Sequence, residues 1–271
     1  MKERIQKILG NAGVASRRAV ETMVRDGRIA VNGEVVTELP ILVDPQKDKV
    51  QVDGEGIALK SGKVNRRFYL IMNKPKGVYC TNIAQGEQKR AIDLLPDDFR
   101  VRVYPVGLLD ADAKGLLLLT NDGDLTNRLT NPRRPMLQVY RATVDGHVTN
   151  EAIATMEKGV YLIDPKSGRG SKASAGKVKI IKHVQERTVI EMTLYEGRNR
   201  DMRRILAKVG HKVRDLTRLK LGPLTIDGIS PGKYRELESK ELKSLQQAAR
   251  EDRETGTSKK PVKKKESRRT E

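Results

Sequence analysis

The chain has 271 residues, and its 54 Lys and Arg exceed its 35 Asp and Glu to give a formal net charge of +19. Its length fits roughly two domains, and the single cysteine, Cys80, excludes an internal disulfide and a cysteine-based zinc site. No apolar stretch approaches the ~18 residues of a membrane span, and the first residues lack the apolar core of a secretory signal, so we expect a soluble, cytoplasmic protein.

The positive charge is concentrated in the middle of the chain. Net charges of +1, +14 and +4 fall in residues 1–60, 61–249 and 250–271. A basic folded region indicates that the functional site itself meets a polyanion, which could be a nucleic acid or an anionic membrane surface. No amphipathic helix combines a large apolar face with a lysine-rich one, and this favours nucleic acid over a membrane.

Residues 1–60 are predicted to form a compact module of two short helices and a few strands. The residues expected to face inward have helical spacing: Ile5, Ile8 and Leu9 in the first helix, and Ala19, Met23 and Val24 in the second. Ser16 is a suitable N-cap for the second helix, which is expected to end at Gly27. Asn32-Gly33, between two β-branched runs, predicts a hairpin. The module is too small to be an enzyme alone.

Residues 68–250 are predicted to form an α+β domain, joined to the first module by a polar linker at 61–67. Its expected strands are FYLIMNK, LLLLT, YRATVDG, VKIIKHV, TVIEMTLYEG, TRLKLGPLTID and KYRELE. An amphipathic helix ends at Gly210, a second helix covers 239–250, and a glycine-rich loop is expected near 165–176. The charged residues 251–271 are expected to form a disordered basic tail.

Sequence signatures of cofactor and metal sites fail on spacing. GSKASAGK resembles a phosphate-binding loop, but its glycines are one residue too far apart. DADAKG begins like a calcium loop, yet a lysine replaces an oxygen ligand. The three histidines, His147, His183 and His211, lack metal-like spacing. We expect no metal and no cofactor, so an enzyme of this sequence would work with side chains alone.

The segment YPVGLLDADAKGLLLLTNDGDL is the most informative in the chain. Asp110 lies between Gly107 and Gly115, immediately before an apolar strand, where an aspartate is costly unless it is hydrogen-bonded or ion-paired. For an isolated aspartate, a simple turn residue would be the favoured interpretation. Asp122 and Asp124 fit that interpretation better, since either can cap the helix that follows.

This segment resembles the catalytic motif of the RsuA/RluB-type ribosomal RNA pseudouridine synthases, G-R-L-D-x-x-[ST]-x-G-L-L-L-L-T-N-D-G. YLIMNKPKGV (69–78) is similar to the lysine-proline opening strand of the family, and YEGRNRDMRRILAKVGHKVRDLTRLKLGPL (195–224) to its third motif and closing strand. Residues 1–60 resemble the alpha-L RNA-binding module of its members. The resemblance implies this module followed by a mixed, mainly antiparallel β-sheet pseudouridine synthase domain with flanking helices.

The resemblance also implies an activity, the isomerisation of a specific uridine in ribosomal RNA to pseudouridine without a cofactor. The uridine is flipped out of the RNA structure first, at a cost of a few kcal/mol. Asp110 matches the essential nucleophile, for which attack on the sugar, attack on the base and removal of a sugar proton are all open. Tyr140 matches the tyrosine that stacks on the uracil, and Arg198 the basic residue that pairs with the aspartate and keeps it ionised.

Several basic residues are candidate RNA contacts: Arg17, Arg18, Lys74, Arg200, Arg203 and Arg204. Ordinary surface charge explains Arg17 and Arg18 equally well, and the i, i+4 spacing of Arg200 and Arg204 also fits a solvated helix face. We expect the partner to be ribosomal RNA or a pre-ribosomal particle, and the protein to be a monomer that binds no membrane and no nucleotide cofactor.

Three positions depart from the family pattern. Leu108 replaces the arginine before Leu-Asp, Gln138 replaces the lysine two residues before the tyrosine, and Ala113 replaces a serine or threonine. Leu108 could still wedge into a base stack. These departures leave open an alternative function, that of an rRNA-binding or ribosome-assembly factor of the same fold whose catalysis has weakened or been lost.

Deletion of residues 251–271 is expected to weaken RNA binding at low salt, because a basic tail adds attraction to phosphates without sequence choice. Binding titrations of the full and shortened chains should therefore differ at low salt and converge at high salt. The modified uridine should stay the same in both, and a change in its position would contradict this prediction.

Overall fold

The computed structural model describes residues 2–59, 66–99, 101–132, 134–163, 168–195 and 199–250. Most of the predicted linker and the whole predicted tail lie outside these ranges. The architecture is α+β, as predicted: a small helix-and-strand module precedes a mixed, mainly antiparallel sheet with flanking helices. Within the described ranges, every helix is too short or too polar to cross a membrane.

The N-terminal module contains the strands β1 (Glu3–Arg4), β2 (Ile29–Val31), β3 (Glu34–Val35), β4 (Leu42–Val43), β5 (Val50–Val52) and β6 (Glu55–Ile57) and the helices α1 (Ile5–Asn11) and α2 (Arg17–Arg25). Strand β1 pairs with β4, and the others form a sheet in the order β3-β2-β5-β6. Asn32 and Gly33 form the predicted hairpin turn, with left-handed φ angles of 55° and 90°.

The N-terminal module has its own hydrophobic core, whose buried members lie between Ile5 and Val52. Ser16 Oγ accepts a hydrogen bond from the Ala19 N–H at 3.1 Å, so the predicted cap of α2 is confirmed. The prediction that Ala19 faces inward is wrong. Helix α2 instead buries Val20 and Val24, which lie one turn apart, and Ala19 is exposed.

The second region contains the strands β7 (Tyr69–Lys74), β8 (Tyr104–Pro105), β9 (Lys114–Thr120), β10 (Gln138–Asp145), β11 (Val160–Ile163), β12 (Gly170–Ala173), β13 (Lys177–Val184), β14 (Arg187–Leu194), β15 (Val213–Leu221), β16 (Leu224–Thr225) and β17 (Tyr234–Glu236). Its large sheet has the order β13-β14-β10-β15-β9-β7-β17, with β16 beside β15 and β8 beside β9. The predicted glycine-rich loop is wrong for residues 170–173, which form β12 and pair with β11.

Helices cover both faces of this sheet. The described helices of the region are α3 (Gly123–Leu129), α4 (Asn150–Lys158), α5 (Asn199–Lys208) and α6 (Ser239–Ala248). Buried side chains of α4 and α5 pack in one cluster with Tyr140 and Ala142 of β10. Those of α3 and α6 pack in another cluster, with Leu116 and Leu118 of β9. Asp122 caps α3, as predicted, by accepting N–H bonds at 3.1 and 3.0 Å.

A short parallel seam between β9 and β15 joins the two halves of the large sheet. Its neighbouring strands are otherwise antiparallel, and the seam consists of two residue pairs, Thr217 with Lys114 and Arg218 with Gly115. Gly115 has a φ of +110°, and a Cβ there would lie 2.7 Å from Arg218 N and closer still to Arg218 O. The two strands can therefore approach each other only because Gly115 has no side chain.

The substitution Gly115→Ala is expected to destabilise the protein by about 3 kcal/mol, because the new methyl group meets the β15 backbone and the φ angle is strained. Gly228→Ala is the matched control, since Gly228 also has a positive φ, +75°, but nothing lies within 4 Å of its Cβ position. That control should cost only about 1 kcal/mol. Urea denaturation measures both, and equal losses would contradict the prediction.

Candidate active site

Asp110 lies in the loop between β8 and β9, close to the seam. It is half-buried, and its carbonyl oxygen accepts a hydrogen bond from the Ala113 N–H at 3.1 Å. The carbonyl of the next residue, Ala111, accepts one from the Gly77 N–H at 2.7 Å. These backbone bonds fix the Asp110 loop against the segment that follows β7.

A single row of paired residues crosses the sheet beside this loop. Lys74 of β7 pairs with Gly115 of β9, Gly115 with Arg218 of β15, and Arg218 with Tyr140 of β10. Lys74, Arg218 and Tyr140 are at most 2% exposed. The pairing therefore brings two buried cations and a buried phenol together beside Asp110. We call Lys74, Gly115, Arg218 and Tyr140 the cross-sheet row.

Hydrogen bonds connect the two polar groups on the β10 side of this row. The Tyr140 hydroxyl donates to Gln138 Oε1 at 2.8 Å, and Arg218 Nη1 donates to the same oxygen at 3.2 Å. Burial raises the pKa of the Tyr140 phenol, the Arg218 cation lowers it, and the negative charge of Asp110 raises it. Tyr140 and the predicted nucleophile thus lie close enough to interact electrostatically.

Tyr140 is the predicted stacking surface, but only 1% of it is exposed. Its ring packs in the cluster that includes Leu109, Met202 and Leu206. A base can therefore reach the ring only after part of the surrounding site moves.

Lys74, a predicted contact with RNA, is 0% exposed in this structure. Its Nζ donates to the carbonyl oxygens of Val78 at 2.8 Å, Pro75 at 3.0 Å and Ala111 at 3.4 Å. Burial lowers the pKa of the Lys74 ammonium. The lysine holds the turn after β7 and the Asp110 loop together, and it has no surface to offer to a phosphate.

The remaining predicted contacts of this region are the arginines between residues 198 and 204. Arg198 lies outside the described residues, and for Arg200 only its place in α5 is described. Arg203 pairs with Asp112 at 2.7 Å, which ties α5 to the Asp110 loop. Arg204 donates to the Ile163 carbonyl and pairs with Asp201 at 3.6 Å.

The N-terminal module contributes exposed charge next to a groove. Arg17 and Arg18 are exposed at the start of α2 and line a groove of about 2190 Å³ that both parts of the chain form. Arg90, Arg102 and Leu108 line the same groove. It carries arginines from both parts of the chain.

Among the described residues no group of three potential metal ligands occurs. His147 and His183, which are distant in sequence, do meet in space, with their Nδ1 atoms 3.3 Å apart. Burial raises the pKa of the Cys80 thiol, which argues against its use as a nucleophile.

Arg218 is a residue of the site that its sequence pattern does not reveal. In the string TRLKLGPLTID it looks like one of the exposed charges that alternate along a half-buried strand, yet it is 2% exposed. The one available signal is its offset of two from Leu216, which places both side chains on the same face of β15.

Comparison with known proteins identifies two regions. Residues 68–208 match the RNA pseudouridylate synthase family, and residues 3–45 match the S4 domain. The chain is 40% identical over 246 residues to an uncharacterized RNA pseudouridine synthase of Aquifex aeolicus (strain VF5), covering 90% of this chain and 94% of the relative. It is 37% identical over 252 residues to ribosomal large subunit pseudouridine synthase B of Bacillus subtilis (strain 168), covering 91% and 97%.

The fold is also similar to that of a solved protein. A crystal structure of a pseudouridylate synthase superposes with a TM-score of 0.62 at 26% sequence identity, covering 89% of this chain and 99% of the other. Sequence and fold comparisons therefore agree over nearly the whole chain.

Lys74→Met is expected to lower the free energy of unfolding by about 2–3 kcal/mol, because the buried carbonyls that accept from Nζ lose their charged donor. Lys76→Met, at an exposed position nearby, should change it by less than about 0.5 kcal/mol. Urea denaturation measures both variants.

The same two variants separate a structural role of Lys74 from a contact with RNA. The salt dependence of RNA binding by folded Lys74→Met should equal that of the wild type. A slope lower by about one, the value for a lost phosphate contact, would contradict the structural role.

Proposed function

The chain belongs to the RNA pseudouridylate synthase family, and we propose that it isomerises a specific uridine of ribosomal RNA, in the large subunit, to pseudouridine. The subunit is inferred from the Bacillus subtilis relative, which is named for large-subunit RNA. The observation that carries the proposal is the joint position of Asp110 and the cross-sheet row, because it gives a carboxylate and a phenol to one site. Since bacterial ribosomes assemble in the cytoplasm, we expect the enzyme to act there.

The reaction requires little more than the carboxylate of Asp110, the ring of Tyr140 and a cation that pairs with the carboxylate. The N1–C1′ bond of the uridine breaks, the uracil rotates, and C5 joins C1′, while the C5 proton leaves and N1 is protonated. Asp110 is the nucleophile, and its carboxylate acts in the ionised form. Tyr140 packs against the uracil and holds it during the rotation, once the site has opened to expose the ring. Arg198, by its place in the motif EGRNRDMRR, pairs with Asp110 and keeps it ionised.

RNA binding is assigned to both parts of the chain. The N-terminal match to the S4 domain supports the predicted alpha-L RNA-binding module. Because that module has a net charge of only +1, its attraction to phosphates must come from a local patch such as Arg17 and Arg18. The groove beside them carries further arginines from the second region, including Arg90 and Arg102. Structured RNA lying along this groove would bring a uridine near Asp110.

Leu108 takes part in base flipping. It is 68% exposed and lies two residues before Asp110, at the edge of the groove. An exposed apolar side chain at such a place can enter the stack from which the uridine has left, as in other proteins that distort nucleic acids. This use of a leucine requires no charge, so the missing arginine at position 108 does not argue against catalysis.

An rRNA-binding factor without activity is the alternative, and the position of Gln138 favours an active enzyme. Gln138 is buried and accepts hydrogen bonds from both Tyr140 and Arg218, so it is an integrated part of the site. Ala113 is fully buried in the same hydrophobic cluster as Tyr140. Gln138 therefore keeps the Tyr140 hydroxyl hydrogen-bonded, and Ala113 takes part in the packing of the site.

Asp110→Asn is expected to reduce tritium release from rRNA labelled at C5 of its uridines by at least about a thousandfold, because the amide is no nucleophile. RNA affinity should be unchanged. Asp124→Asn is the matched control, because Asp124 is an exposed aspartate on the first turn of α3 and should release tritium at the wild-type rate.

Unchanged tritium release in Asp110→Asn would refute the proposed mechanism. A wild-type protein that binds rRNA and releases no tritium from any transcript would support the inactive factor instead. Mapping of pseudouridine in total rRNA with and without this gene identifies the target, since one site should be lost.

A further inference from the structure

Arg218 is a buried charged side chain of the site for which the proposed mechanism has no use. It is 2% exposed, and its Nε donates to the Leu116 carbonyl across the seam at 2.7 Å. Its Nη1 donates to Gln138 Oε1 at 3.2 Å. Its Nη2 is buried and has no hydrogen-bond partner within the described ranges. Buried polar groups normally have partners, so an unpaired one needs an explanation.

The sheet register directs Arg218 at Tyr140. The two residues are direct partners across β10 and β15, so their side chains lie on the same face of the sheet. The register shifts between Val139 and Tyr140, which places a bulge beside this pair. Bulges commonly re-aim side chains next to active sites.

A purely structural role explains only part of the guanidinium. The bond from Nε to Leu116 fastens β15 to β9, and one neutral donor would be enough for that. An arginine buried at this depth carries a desolvation cost that an apolar side chain of similar length would avoid. Nη1 of the guanidinium donates to Gln138, which also accepts from the Tyr140 hydroxyl. The charge therefore lies where it can act on the phenol.

We propose that Arg218 is a positioning residue for Tyr140. Arg218 orients the Tyr140 hydroxyl through Gln138, and it places a fixed positive charge beside the phenol oxygen. This inference rests on the proposed function, in which Tyr140 holds the uracil. Two donors on one amide oxygen fix the direction of the hydroxyl, and the spare Nη2 is available to the phenol oxygen when the site rearranges around the substrate.

Other charged groups surround this pair. Asp110 faces Tyr140 from the β8–β9 loop, and its charge raises the pKa of the phenol. Lys74 and Cys80 interact electrostatically with Arg218 from the β7 side. Of the groups that act on the Tyr140 phenol, Arg218 is the only cation found within the described ranges.

The first test follows the Tyr140 phenol by 19F NMR in protein labelled with 3-fluorotyrosine. The chain has seven tyrosines, and Tyr140→Phe assigns the resonance. Arg218→Met should raise the pKa of Tyr140 by about one unit or more, because a nearby cation stabilises the ionised phenol. Arg214→Met is the matched control: Arg214 lies on the same strand, is half-exposed and binds Asp145, so it should leave the Tyr140 titration unchanged.

The second test measures tritium release under single-turnover conditions. Arg218→Met should be about a hundredfold slower with unchanged RNA affinity, as expected when the side chain that holds the uracil is misplaced. Arg218→Lys keeps the positive charge and loses the planar guanidinium with its several donors. It should therefore retain the Tyr140 pKa and show a rate between those of Arg218→Met and the wild type. Full recovery by lysine would overturn the orienting role, and an unchanged rate in Arg218→Met would overturn the whole inference.

A third variant covers a failure of Arg218→Met to fold. Gln138→Leu keeps the bond from Arg218 to Leu116 and removes only the bridge to Tyr140. It should shift the Tyr140 resonance and slow the reaction, and no change in either would overturn the inference. If the wild type releases no tritium, the proposed function fails, whereas the fluorine titrations still decide whether Arg218 acts on Tyr140.

Discussion

The close approach of β9 and β15 at Gly115 is the constraint on which the rest of the catalytic domain depends. The strands meet in parallel over only two residue pairs, and Gly115 makes contact with the Arg218 backbone that no larger residue could make. The residues to which we assign the chemistry lie around that contact. Asp110 lies five residues before Gly115 in the chain, Lys74 is its partner on one side, and Arg218 on the other side is paired with Tyr140.

Charge is distributed differently inside and outside the protein. Inside, Lys74 and Arg218 are held by carbonyl and amide oxygens, and the Arg218 cation lowers the pKa of the Tyr140 phenol. Outside, arginines line the groove that both parts of the chain form. The overall charge of +19 therefore serves two purposes that composition alone does not separate. Exposed cations suit attraction to RNA, whereas buried ones suit the precise placement of reacting groups.

Sequence patterns within a few residues predicted most helices, strands, caps and turns. The pairing of strands that are distant in the sequence could not be predicted from such patterns. Ser16 as a cap and Asn32-Gly33 as a hairpin depend on neighbours within a few residues, and both are confirmed. Lys74 and Arg218 look like ordinary surface cations in the sequence because their burial follows from the β7–β9 and β9–β15 registers. The motif around Asp110 indicated the family, but it contained nothing about the strand that carries Arg218.

The seam joins strands that are synthesised far apart in time, because β15 follows β9 by about 100 residues. The bond from Arg218 to Leu116 joins residues 102 positions apart, and closing such a long loop costs chain entropy that local contacts do not. A nascent chain that has not yet reached Val213 already contains Asp110 and Tyr140 but lacks the strand between them. Until β15 has been made, Tyr140 has no Arg218 beside it, and the cross-sheet row is incomplete.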